Sequence, residues 1–196
     1  GKHSGFLTLS RHLGAGPEYI DPAHPVQILA KEAFQSMTET SDLGYAIDGC
    51  SAPNFATTVH GLSRAMSKMA NSKSSTVRGK AAVRLVDSMV KHPDLVAGEG
   101  RACTELMMAM EGKVAVKTGA EGVFIAILPE KGIGISLKIT DGTTRAAESA
   151  ITGLLVKYGA LDSKHPIAQK HLNGPIVNWR GVITGRIKLS ESFTSI

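Results

Sequence analysis

Between Val114 and Ile139 the chain reads VAVKTGAEGVFIAILPEKGIGISLKI, three short runs rich in Val and Ile separated only by GAEG and PEKG. Links that short cannot carry a chain back across a sheet, so consecutive runs have to pair antiparallel. The alternation predicts strands at about Lys113 to Thr118, Val123 to Leu128 and Ile133 to Ile139. One residue departs from the apolar pattern: Lys117, between Val116 and Thr118. Neighbours on a strand alternate faces, so Lys117 points opposite to both. It either runs outward along its aliphatic stem or lines a cleft.

The sequence around this meander is helical. Phe6, Leu9 and Leu13 lie at helical spacing in SGFLTLSRHLG, which ends on a glycine stop. A second helix is predicted from about Val26 to Thr38, with Ile28, Leu29, Ala33 and Met37 on one side. DGCSAPNF, from Asp48 to Phe55, reads as a fixed loop. A helix with Val59, Leu62, Met66 and Met69 on one face follows, then the polar, mobile-looking segment NSKSSTVRGK. The next helix, AAVRLVDSMVKH, must stop before Pro93. The Met-rich run after Gly100 reads as adaptable core filling. Asp141 or Thr143 caps a helix running to about Tyr158, and NWRGVITGRIKLS reads as a last β segment. The pattern is α+β, helices packed on an antiparallel sheet, within a single domain spanning 1–196.

Composition narrows the function classes. The chain has 196 residues, 42% hydrophobic and 20% charged, enough to bury a core. Its net charge of +5 is scattered, and only 5% of residues are aromatic, which argues against a nucleic-acid partner. No run approaches the ~18 apolar residues of a membrane span. Cys50 and Cys103 form neither a disulfide framework nor a CxxC pair, so a cytoplasmic protein with free thiols is expected.

Two features carry chemistry. The triplet Lys117-Thr118-Gly119 resembles the KTG strand triad of serine β-lactamases and penicillin-binding proteins, and the KSG of serine glutaminases. In those enzymes the lysine faces a nucleophilic serine, while backbone N–H groups bind the oxyanion. Such a fold also needs a Ser-x-x-Lys on a helix well upstream. Ser88-Met89-Val90-Lys91 has the spacing but lies too close before the triad strand.

The second feature is the set GKH at Gly1–His3, HPVQ, DGCSAPNF, HPDLVAGEGR, KTGAEGV and LKITDGTTRAA, in that order. Together these closely resemble the bacterial L-asparaginases of the rhizobial, thermolabile type, the asparaginase II family. The resemblance implies a serine β-lactamase/glutaminase-like α+β fold and hydrolysis of L-asparagine to L-aspartate and ammonia by an activated serine. Family members carry Cys-Ser-Gly-Lys-His where this chain starts Gly1-Lys2-His3, so the N-terminal part and nucleophile helix are expected before Gly1. It implies a zinc ion held by Lys2 and Cys50 with a cysteine upstream, and Lys117 as catalytic lysine. Asp48 and His3, with Thr118 and Gly119, would bind substrate, and a homodimer is expected. Glu121 is expected to be solvated, and Cys103 and His60 to be structural. Each assignment has a plainer reading: an Asx turn for Asp48, an exposed terminal residue for His3, a packed thiol for Cys50. A glutaminase and a non-catalytic amino-acid-binding protein are the rival functions.

Overall fold

A computed structural model describes residues 1–194. The chain divides into two compact units, residues 1–65 and 66–196.

In the first unit, α1 (Lys2–Leu13) ends where Gly14 turns left-handed at φ 62°, and the Ala15 N–H closes on the Ser10 carbonyl at 3.0 Å. Helix α2 (Pro25–Thr38) starts with proline at its first position. There the His24 ring Nδ1 accepts the Val26 N–H at 3.2 Å. Its inner side is not the predicted one. Val26, Gln27 and Thr38 are buried, whereas Ile28 and Leu29 stand 46% and 41% exposed. The stretch predicted as a loop holds half of a hairpin instead: β1 (Tyr45–Ile47) pairs antiparallel with β2 (Pro53–Phe55). Three cross-strand pairs suffice because Phe55 stacks on Tyr45 and Phe34, with ring centroids 6.4 and 6.0 Å apart. Helix α3 (Val59–Ala70) begins where the Thr58 hydroxyl accepts the Gly61 N–H at 2.9 Å.

In the second unit the Thr76 hydroxyl caps α4 (Val77–Lys91) by accepting the Gly79 N–H at 3.0 Å. The last four residues of the polar segment read as mobile are therefore helix. Pro93 ends α4 and opens α5 (Pro93–Ala97), which leads into α6 (Ala102–Ala109). The meander follows as expected: β3 (Ala115–Thr118), β4 (Val123–Leu128) and β5 (Ile133–Lys138), all antiparallel in that spatial order. A 3₁₀ turn at Pro129–Lys131 makes the second link. Thr143 stands at the N-cap position of α7 (Thr144–Lys157) without a side-chain cap bond, and Asp141 accepts both its N–H and its hydroxyl at 2.9 Å. A further helix, α8 (Pro166–Leu172), has no counterpart in the sequence reading. The β segment predicted near the end holds β7 (Ile183–Arg186), which pairs with an unpredicted strand just before it, β6 (Pro175–Val177), and the turn α9 (Glu191–Thr194) follows.

The core lies between α6, α7 and the meander. Leu106, Met107, Phe124, Leu128, Ile151 and Leu155 are all essentially buried there. The Met run divides as a helix must: Met107 and Met110 point inward, while Met108 is 66% exposed. The strand order leaves β3 as an edge strand that ends at the Lys117 triplet. No helix among the described residues is long and apolar enough to cross a membrane.

Candidate functional site

Two groups of side chains gather chemistry, one in each unit. In the first unit the hairpin turn between β1 and β2 is built on Asp48. Its Oδ1 accepts the N–H of Cys50 at 2.8 Å and of Ala52 at 3.3 Å, and its own carbonyl accepts the Ser51 N–H at 3.0 Å. That is an Asx turn, the plainer of the two readings of Asp-Gly. Its second oxygen, Oδ2, is turned to a cation, the side-chain nitrogen of Lys2. The Lys2 hydrogen bond and then the Cys50 amide hold the Asp48 carboxyl down at about 2. One carboxylate thus shapes a loop with one oxygen and holds an ammonium with the other.

Lys2 and Asp48 therefore touch, and Cys50 joins them through its backbone while its side chain is exposed. Among the described residues no three of His, Cys, Asp and Glu gather as a metal-binding group. The donors near Asp48 are an amine nitrogen and a soft thiol, each of which can bind a metal only when deprotonated. His3 faces a different partner. Its Nδ1 lies 3.0 Å from the Tyr19 hydroxyl, and its ring packs edge-on against Tyr19 and Phe6. Tyr19 is a residue the sequence reading missed. It sits in a Pro-rich loop whose fold is fixed by Gln27, the Nε2 of which donates to the Tyr19 carbonyl at 2.7 Å.

In the second unit Lys117 is half-buried, not out in solvent, and its Nζ donates to the Thr118 carbonyl at 2.7 Å. The Thr118 hydroxyl reaches the Gly119 carbonyl at 3.2 Å, and the Gly119 N–H pairs with the Val123 carbonyl at 2.8 Å. Glu121 is exposed, as expected of a solvated turn residue. Cys103, read as structural, is 1% exposed on α6, and its sulfur accepts the Thr118 N–H at 3.1 Å. Burial pushes the Cys103 thiol up, opposed by that hydrogen bond and by the charge of Lys117.

Ser88 and Lys91 are exposed on α4, and the Ser88 hydroxyl is spent on the Arg84 carbonyl at 2.7 Å. That local bond and full solvation describe a surface serine, not an activated nucleophile. A cleft of about 160 Å³ lies between Lys113, Val114, Leu128 and Lys131, at the opposite end of β3 from the triplet, and is not part of this group.

No curated protein matches the chain at a significant level. The family model of L-asparaginase II matches residues 1–189 of the 196. With that span covered almost end to end, the chain belongs to the L-asparaginase II family.

Proposed function

We propose that the protein hydrolyses L-asparagine to L-aspartate and ammonia through a serine nucleophile, with Lys117 as catalytic lysine on a β-lactamase/glutaminase-like sheet. Membership of the family carries asparagine hydrolysis. The observation that carries the finer reading is the state of Lys117: half-buried on an edge strand, its nitrogen 2.7 Å from the backbone of its own triplet. A lysine held at a strand edge can pass a proton to and from a group laid alongside, and a solvated one cannot be positioned to do so. The three-stranded antiparallel meander followed by α7 supports that reading.

In this reading the serine Oγ attacks the side-chain amide carbon and its proton passes towards the Lys117 nitrogen. The C–N bond breaks as the leaving nitrogen takes a proton, releasing ammonia, and water then frees aspartate from the acyl-enzyme. Thr118, through its exposed side-chain hydroxyl, and Gly119, which has no side chain to obstruct a ligand, bind the substrate. Asp48 takes the substrate's α-ammonium on Oδ2, the oxygen that already holds an ammonium, so substrate and Lys2 compete for it. His3, oriented by Tyr19, adds a polar contact.

Zinc belongs to the same proposal: Lys2 and Cys50 would hold it, and when bound it would supply a fixed positive charge beside the Asp48 loop. Lys2 has to leave Asp48 and lose a proton to do so.

Ammonia release from Asn and Gln by the full-length protein tests the reading. Turnover of Asn is expected to exceed that of Gln, although one methylene contributes only ~1–3 kcal/mol of discrimination. Lys117→Ala should lower kcat by about 10²–10⁴-fold with an unaltered circular dichroism spectrum. Full activity in that variant would return Lys117 to a structural role.

A further inference from the structure

We propose that Cys103 is a positioning residue for the Lys117-Thr118-Gly119 triplet, its buried sulfur fixing the open edge of β3 by accepting the Thr118 N–H. The proposal rests on the catalytic reading of Lys117 given above. It begins with the register. The Gly119 N–H bonds the Val123 carbonyl, and Lys117 and Thr118 lie opposite Ile125 and Phe124. Hydrogen-bonded pairs alternate along an antiparallel ladder, so Thr118 falls at a position whose N–H and C=O both face away from β4.

Outward groups of an edge strand ordinarily go to water or to another strand. Thr118 uses neither for these bonds. Its N–H meets Cys103 Sγ at 3.1 Å, and its C=O takes the Lys117 Nζ at 2.7 Å. Both bonds end on one residue, so a rotation of Thr118 that breaks the first displaces the seat of the second.

Cys103 is suited to the task because it cannot move. It is 1% exposed, and Leu106, Met107 and Met110 of the same helical segment are buried in the core with Val116 and Phe124. A rigid element thereby holds the sulfur against the strand. An N–H in this part-buried place that loses its sulfur acceptor loses the protein partner that orders it. With its thiol pushed up by burial, Cys103 stays neutral near pH 7 and accepts without adding a charge beside Lys117.

The test compares Cys103→Val, close in volume but with no acceptor, with Cys103→Ser, which keeps one. Amide exchange at Thr118, followed by NMR of the enzyme, is expected to quicken about three- to tenfold in Cys103→Val and to stay within about twofold in Cys103→Ser. In the same enzyme kcat for asparagine should fall about three- to tenfold in the valine variant with KM within about twofold, and serine should restore it. Should Cys103→Val not fold, Cys103→Ala is read in the same way. Unchanged Thr118 exchange without an acceptor, faster exchange with unaltered kcat, or equal kcat losses in valine and serine variants would each overturn the proposal. A fully active Lys117→Ala is a separate failure, of the catalytic reading, and leaves the exchange result standing as a statement about β3 alone.

Discussion

The turn that follows the Lys117 triplet offers a measurement with a built-in control. Glu121 and Gly122 both have positive φ, 55° and 74°, and the Val123 N–H closes on the Ala120 carbonyl at 3.3 Å. Two such residues at the centre of the Ala120–Val123 turn have the φ signs of a type I′ turn, within a three-residue link between the paired Gly119 and Val123. The Gly122 carbonyl also accepts the Ile139 N–H at 3.0 Å, tying the turn to the chain leaving β5. A Cβ built on Gly122 would stand 2.8 Å from the Ile139 Cβ and 3.1 Å from the Gly142 backbone. Gly142 has the same φ of 74°, but a Cβ there would meet nothing nearer than 3.5 Å.

Left-handed backbone costs a non-glycine residue about 1–2 kcal/mol, a term the two sites share. Overpacking adds about 1–3 kcal/mol at Gly122 alone. Gly142→Ala should therefore lose about 1–2 kcal/mol, and Gly122→Ala about 2–5 kcal/mol. Urea unfolding followed by circular dichroism reads both, provided the m-value is unchanged. Losses equal to within ~0.5 kcal/mol would refute the close packing of the turn against the Ile139–Gly142 segment.

Three further outcomes follow. Lys2→Ala removes the largest cause of the low Asp48 value, so carboxyl NMR with chelator present should find Asp48 risen from about 2 towards 3.8. A depressed carboxyl stabilises above its unfolded value, so this contribution is complete above about pH 3.8, fades as pH falls towards 2, and should be diminished in the variant. Cys50→Ser should lower the zinc content of the full-length protein measured by elemental analysis, and unaltered stoichiometry removes Cys50 from the ligand set. Leu106→Ala empties a site that is 0% exposed in the main core and should cost about 2–5 kcal/mol in the same urea assay; a loss below ~1 kcal/mol would contradict its burial.

What the sequence disclosed depended on how far each signal reached along the chain. The meander was legible because period-two apolar runs and four-residue links leave one pairing, and β4 falls on Val123–Leu128 as read. The N-cap position of α7 at Thr143 was equally local. Helix α8 escaped because its seven residues are marked by little except Pro166 and a cap from the His165 ring, which accepts the Ile167 N–H at 3.1 Å. The inner side of α2 escaped for a different reason. Apolar spacing ranks Ile28 and Leu29 above Gln27, yet Gln27 is buried because its amide bonds the Tyr19 carbonyl of the preceding loop.

The site residues show why rival readings of one residue need not exclude each other. Asp48 has two readings, an Asx-turn former and an acid that would hold a substrate's α-ammonium; Oδ1 makes the turn and Oδ2 meets Lys2, so the turn does not use up the carboxylate. Having Oδ1 fixed by the Cys50 and Ala52 amides is what holds Oδ2 in a defined direction towards a cation. Lys117 was weighed as a solvated lysine against a cleft lysine, and period-two reasoning about side chains cannot choose between them. What places the Lys117 nitrogen is the backbone: β3 is an edge strand, so Thr118 turns an N–H and a C=O outward. Once the N–H is taken by a sulfur 15 residues earlier in the chain, the remaining carbonyl gives Lys117 a fixed place to rest. No pattern within the triplet could announce that, because the residue that fixes it lies on another element.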